Sequence, residues 1–206
     1  MKLADYYRDT AKANDMETAG WSTIYYGVFS KIINDNNYKV VAEVGIGYGT
    51  HAKQILTNTN VDRLYLIDPT KYYPGDDFAT AIMNCEATVP GENFNELYKL
   101  IQGYLQPWDS RYKWFRQESL TITDSQIPDG HLDCVFIDGD HRYDAVLADL
   151  RFWWKKVKMG GQVLGDDYWL PDVAKAVHDF AQENGLTFDF LYKNGTTYKI
   201  YRFHKA

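Results

Sequence analysis

Short apolar runs alternate with amphipathic stretches along most of this chain. "KVVAEVG" (39–45), "RLYLID" (63–68) and "LDCVFID" (132–138) are branched and aromatic runs closed by Gly or Asp, the pattern of buried strands. "KWFRQESL" (113–120) adds a strand with its exit loop, and "GQVLGDD" (161–167) adds a fifth. Residues 22–34, 50–59, 93–105, 142–158 and 171–185 carry helical patterns. In "RYDAVLADLRFWWKKVK" (142–158), Val146, Leu150, Trp153 and Val157 form one stripe. Acids come early there and lysines late, as the helix dipole prefers, and Gly160-Gly161 are expected to stop the helix. The last helix opens near Pro171 and ends on Gly185.

Alternation of strand and helix implies parallel pairing through right-handed crossovers. The end of the chain differs, because "LTFDFLYKNGTTYKIYRF" (186–203) reads as two alternating strands around Asn194-Gly195, a hairpin signal. The expectation is an α/β fold: a Rossmann-like, doubly wound, seven-stranded sheet, mostly parallel, with a C-terminal antiparallel hairpin. A single domain over residues 1–206 begins with a helical segment, 1–38. Residues 71–112, which hold Pro74, Pro90 and Pro107, read as an insertion packed near the strand ends, over the ligand.

Composition narrows the function classes. The chain has 206 residues, 45 % hydrophobic and 24 % charged, which suits one soluble α/β domain. Its 17 Tyr and 6 Trp serve core packing as readily as ligand stacking. A net charge of -6 argues against a broad nucleic-acid surface and leaves small molecules open. Cys85 and Cys134 are too few for a disulfide framework or a zinc site, and Cys134 reads as core. No run approaches membrane-spanning length and the first residues lack a signal-peptide core, so a cytoplasmic protein without a membrane partner is expected. A homo-oligomer is compatible with the sequence.

Candidate chemistry gathers at the strand ends. In "EVGIGYG", Glu43 precedes Gly45, Gly47 and Gly49 at a strand-to-helix turn, where glycine permits positive φ and close approach of a ligand. The third glycine comes one residue early for the dinucleotide fingerprint. Asp68 ends the second strand, where an acid can bind both hydroxyls of a ribose; the alternative is a turn residue before Pro69. "VFIDGDHRYDAVLADL" (135–150) leaves its strand on Asp138, Asp140 and His141, and "GGQVLGDDYW" (160–169) on Asp166 and Asp167. Charges there are costly to leave unpaired, so either a helix start or a ligand uses them. Asp140 is expected to cap the helix that follows. Tyr143, Tyr168 and Trp169 stand nearby and could stack on a sugar or ring, or simply pack.

From about Val40 to the hairpin, the 71–112 stretch excepted, the sequence resembles the class I S-adenosylmethionine-dependent methyltransferases. E-x-G-x-G-x-G is similar to their first motif, which backs the methionine part of the cofactor. The resemblance implies that Glu43, Gly45, Gly47 and Gly49 serve that part, and that Asp68 holds the ribose. Ser119, in "FRQESL", falls where relatives contact the adenine, although a cap or turn serine is an equal alternative. The two acid-bearing stretches resemble the metal-dependent O-methyltransferases, which include catechol and caffeoyl-coenzyme A enzymes. Relatives acting on macrolide sugars and the cephalosporin-hydroxylase-like group are nearer still.

That branch implies that Asp138, Asp166 and Asp167 bind one divalent cation, with Asp138 also bordering the cofactor. His141, three residues beyond Asp138, would take the substrate proton. Three carboxylates suit Mg²⁺ or another hard divalent cation, and neighbouring strands about 4.8 Å apart let them converge. The implied function is methylation of a hydroxyl on a small molecule, such as a sugar or polyol. Two alternatives stay open: a metal-independent methyltransferase with His141 as sole base, and a non-catalytic cofactor-binding protein whose acids are merely solvated.

Overall fold

Four parallel strands bring their C-terminal ends to one level. β1 (Val40–Val44), β2 (Arg63–Ile67), β4 (Leu132–Ile137) and β5 (Val157–Gly165) pair so that Val44 lies opposite Ile67 and Ile137, and Ile137 opposite Gly165. The next residue on each strand is therefore Gly45, Asp68, Asp138 or Asp166, side by side along one sheet edge. Open α/β sheets bind ligands at that edge.

The computed structural model describes residues 1–14, 21–192 and 199–206. β3 (Tyr112–Phe115) pairs with β2, and the antiparallel pair β6 (Phe188–Tyr192) and β7 (Lys199–His204) completes a seven-stranded sheet of order 3-2-1-4-5-7-6. This is the expected mostly parallel sheet with a terminal antiparallel pair. Asn194-Gly195 lie outside the described residues. β7 lies between β5 and β6, so it borders the strand that leads to Asp166-Asp167.

Helices α1 (Leu3–Asn14), α2 (Trp21–Asp35), α3 (Thr50–Asn58), α4 (Asp77–Met83), α5 (Asn93–Leu105), α6 (Tyr143–Lys156) and α7 (Pro171–Asn184) accompany the sheet. Alternation along β4 divides the core between the two faces. Cys134 and Phe136 join Phe29, Ile33, Ile55 and Ile101 on one side; Val135 and Ile137 join Leu150, Trp153, Phe180 and Phe203 on the other. Burying a large apolar side chain contributes roughly 1.5–3 kcal/mol, so both helical layers have strong reason to stay. None of the helices among the described residues is long and apolar enough to cross a membrane.

Several local expectations are corrected. α6 ends at Lys156, and Val157 is already extended and paired with Leu132. Gly160-Gly161 therefore lie inside β5 rather than stopping the helix. Gly160 has φ +79°, a Cβ at Gly161 would stand 2.5 Å from the Asp133 carbonyl oxygen, and the β4–β5 register shifts between Leu132 and Cys134. The glycine pair serves a bulge. The residue before α6 is Arg142, not Asp140. Asp140 instead accepts from the Arg142 amide at 2.9 Å and pairs with its guanidinium, closing a turn.

Within 71–112, α5 spans the residues its pattern predicts, while α4 went unsuspected; Asp76 caps α4 by accepting from the Ala79 amide at 2.7 Å. Both helices lean on the glycine turn: Phe78 meets the Tyr48 ring edge-on at 4.8 Å, and Ile101 lies against Gly49.

Candidate active site

The turn from β1 to α3 carries three left-handed glycines, with φ +81° at Gly45, +49° at Gly47 and +79° at Gly49. They are not equivalent. A Cβ at Gly45 would stand 2.1 Å from the Asp138 carbonyl oxygen, so the turn is wedged against the tip of β4. At Gly47 the same construction meets nothing within 4 Å, which leaves that part of the turn open to a ligand.

Asp68 braces the turn from the β2 side. Its Oδ2 accepts from the Ile46 amide at 3.0 Å, and its Oδ1 from the Thr70 amide at 2.6 Å and the Thr70 hydroxyl at 3.1 Å. Burial pushes its carboxyl up while these donors pull it back. Glu43 sits beneath the turn, 2 % exposed, with Oε1 3.0 Å from Nδ1 of the buried His51. Its Oε2 has no hydrogen-bond partner among the described residues, and burial pushes this carboxyl up. Glu43 therefore belongs to the floor of the turn.

Ser119 opens a short 3-10 turn after β3. Its hydroxyl donates to buried Asp149 on α6 and accepts from the Trp153 indole at 2.7 Å. The side chain is committed to the scaffold through α6, and it makes neither a cap nor a turn bond. The adjacent Glu118 accepts from Lys71 and from the Tyr73 hydroxyl, at 3.0 and 3.1 Å for its two oxygens, which ties the insertion to the β3 exit.

At the tips of β4 and β5 three groups converge. Ligand atoms of Asp138, His141 and Asp167 all lie within 4.8 Å of one another. His141 Nε2 is 3.0 Å from Asp167 Oδ2 and 3.8 Å from Asp138 Oδ1. The Asp138 and Asp167 carboxylates raise the imidazole from its ordinary 6.5 to about 10, against a smaller opposing effect of burial. Asp167 occupies the left-handed region at φ +54°, unusual for a non-glycine residue. Asp166 is buried at 4 % exposure, and its Oδ1 accepts from the Asp167 amide at 2.8 Å. Of the two adjacent acids, Asp167 thus stands in the cluster and Asp166 fixes the backbone that presents it. Below them the Tyr201 hydroxyl of β7 is raised by burial, with Asp149, Asp138, Asp166 and Asp167 adding to the effect.

The neighbouring aromatics divide. Tyr168 turns away, 2.9 Å from His178 Nε2 and edge-on to Phe190. Tyr143 donates to Asp179 at 2.7 Å, whereas Trp169 stays 63 % exposed beside Asp167. Sequence reading did not find Tyr7, whose hydroxyl donates to the Tyr48 carbonyl at 3.0 Å, or Tyr6, 2.8 Å from the Tyr48 hydroxyl. Both reach the glycine turn from α1 across some forty positions, with no local motif to betray them.

Known proteins share this fold. A family described as "Methyltransferase domain" matches residues 42–168. An uncharacterized protein of Acanthamoeba polyphaga mimivirus is 43 % identical over 56 residues, 25 % of this chain and 25 % of that protein. The chain thus spans about a quarter of the length of the curated relative it matches. Among solved structures, an O-methyltransferase from Bacillus cereus in complex with SAH has a TM-score of 0.64 at 10 % identity, covering 98 % of this chain and 90 % of that one. A provisionally named caffeoyl-CoA O-methyltransferase from Staphylococcus aureus has a TM-score of 0.63 at 13 % identity, covering 98 % and 91 %. A SAM-dependent O-methyltransferase from Thermotoga maritima has a TM-score of 0.55 at 12 % identity, covering 88 % and 64 %. At such identities the likeness is one of fold, whereas the family match covers more than half of the chain. With its glycine turn, its acid-tipped strands and its terminal antiparallel pair, this chain belongs to the methyltransferase-domain family and has the class I fold its sequence resembles.

Proposed function

We infer that the protein is an S-adenosylmethionine-dependent O-methyltransferase that methylates a hydroxyl of a small molecule, such as a sugar or polyol, with a divalent cation at Asp138 and Asp167. The observation that carries this reading is the convergence of Asp138, His141 and Asp167 beside a glycine turn wedged against Asp138. Family membership and the O-methyltransferase names of structural neighbours support it.

The residues suit both groups. For the cofactor, the open side of the turn at Gly47 would face the methionine part, over the floor that Glu43 provides. Asp68 has three of its acceptor positions filled, which leaves one at Oδ2 for a ribose hydroxyl. Ser119, its hydroxyl already used, would meet the adenine edge through its backbone. For the cation, the Asp138 and Asp167 carboxylates, with ligand atoms within 4.8 Å of one another and of His141, are hard oxygen donors that suit Mg²⁺ or a similar divalent ion, and His141 stays outside the donor set. Asp166 would act behind Asp167 rather than on the ion.

When bound, such an ion lowers the pKa of a coordinating hydroxyl. Asp138 and Asp167 would hold the acceptor oxygen at the edge where Gly45 and Gly47 present the donor, which serves an in-line displacement. With a cation neutralising Asp138 and Asp167, the imidazole that they otherwise hold protonated through Nε2 would be available to take the hydroxyl proton as the oxygen gains the methyl group. The wedge between Gly45 and Asp138 fixes the distance between the two halves of the reaction.

Chelation with EDTA, or alanine at Asp138 or Asp167, is expected to abolish turnover while S-adenosylhomocysteine still binds. Full activity under both treatments would remove the metal from the mechanism.

A further inference from the structure

Trp169 stands out on the site edge. It is 63 % exposed, whereas the adjacent Tyr168 is packed among His178, Phe188 and Phe190. An indole left in water forgoes the burial that usually keeps it in place. Its one polar atom is nevertheless fixed: Nε1 donates to Asp167 Oδ1 at 2.8 Å. The Leu170 amide donates to the Asp167 carbonyl oxygen at 2.8 Å, so residues 167–170 form a turn that folds the indole back over the acid opening it. The two oxygens of Asp167 thereby have different partners, Oδ1 the indole and Oδ2 the His141 imidazole at 3.0 Å. Asp166 Oδ1 meanwhile holds the Asp167 amide, and φ stays at +54°.

We propose that Trp169 is a positioning residue for Asp167: its N–H clamps one carboxylate oxygen and so turns the other toward Asp138 and His141, where a divalent cation would sit. This rests on the metal reading above and adds a residue that touches neither ion nor cofactor. Outer hydrogen-bond partners of a metal-binding carboxylate set its orientation, and their loss typically weakens metal affinity about 10–100-fold. Without the indole N–H the carboxylate would be held less closely, and its oxygen toward Asp138 and His141 would be less well defined.

The test is titration of the full chain with Mn²⁺ alone, following free Mn²⁺ by electron paramagnetic resonance, beside calorimetric binding of S-adenosylhomocysteine and a thermal melt. Trp169→Phe keeps an aromatic ring and removes the donor. Incorporating benzothienylalanine at position 169 keeps the bicyclic shape and puts sulfur where the N–H was. Both are expected to weaken Mn²⁺ binding about tenfold or more, with S-adenosylhomocysteine affinity within about twofold and the melting temperature unchanged. Wild-type Mn²⁺ affinity in either variant overturns the proposal. So does parallel loss of Mn²⁺ affinity, cofactor affinity and thermal stability, since that marks a merely structural residue. If the wild-type protein binds S-adenosylhomocysteine but no Mn²⁺, the metal reading fails and takes this proposal with it.

Discussion

Gly45 and Asp138 are in backbone contact so close that a Cβ on the glycine would stand 2.1 Å from the aspartate carbonyl oxygen. The proposed donor turn and the proposed ion site are therefore one rigid body. Gly45→Ala must relieve this clash and also hold φ near +81°, which disfavours an L-residue by about 1–2 kcal/mol. Overpacking adds about 1–3 kcal/mol. The variant is expected to melt several degrees lower, at about 2–4 °C per kcal/mol for a domain of this size, and to lose both S-adenosylhomocysteine and Mn²⁺ affinity. A variant that melts like the wild type and binds both would show that the two tips are not wedged.

His141 distinguishes the two catalytic schemes. With His141→Ala, kcat is expected to fall by about 10²–10⁴ while S-adenosylhomocysteine binding persists, as removal of a general base does. Adding EDTA to the wild-type enzyme separates the alternatives. Loss of turnover agrees with an ion-assisted base, and undiminished turnover leaves His141 as the sole base.

Asp149 links pH to stability. It is 6 % exposed, and burial raises its carboxyl from 3.8 to about 6, against the hydrogen bond from Ser119. A carboxyl raised on folding favours the native state most when protonated, so its contribution is present at low pH and lost as pH rises from about 4 through 6. Asp149→Asn keeps an acceptor for Ser119 and removes the buried charge. The variant is expected to match the wild type near pH 4 and to exceed it by on the order of 2 kcal/mol above pH 7, by urea unfolding. Equal stability at both pH values would contradict this account.

Arg111 closes the back of the fold. Its guanidinium donates to the carbonyl oxygens of Leu56 at 2.7 Å, Thr59 at 2.8 Å and Val61 at 3.1 Å, around the C-terminal end of α3. A lysine cannot span three acceptors with a planar fork. Arg111→Lys is expected to lose about 2–3 kcal/mol in denaturant unfolding with little effect on cofactor affinity, because the contacts lie away from the glycine turn. A loss below about 0.5 kcal/mol would show that water replaces the guanidinium.

Wherever local pattern decides structure, the sequence was readable. The stripe in residues 93–105 matches α5, and the apolar runs match β1, β2 and β4 to within a residue or two at each end. Pattern misleads or falls silent where a distant neighbour, a competing side chain or a single backbone angle decides. Gly160-Gly161 look like a helix stop, and only the approach of Asp133 from β4 makes them a bulge. Asp140 has the chemistry of a helix cap, but Arg142 captures it. Asp166 and Asp167 are indistinguishable as letters; one backbone step into the left-handed region buries the first and presents the second. The clamps from Tyr7 and Trp169 likewise arise from tertiary contact or turn geometry, which periodicity does not encode.

The position of β7 has a consequence for biosynthesis. A Cβ at Gly165 would stand 2.0 Å from the Tyr201 hydroxyl oxygen, so the platform under Asp166 is a side chain that follows every other residue of the site in sequence. Everything else the site needs leaves the ribosome earlier. A nascent or prematurely terminated chain would hold its acids and its glycine turn but lack the slab on which they rest. Maturation of the centre therefore waits for β7 to slide between two neighbours.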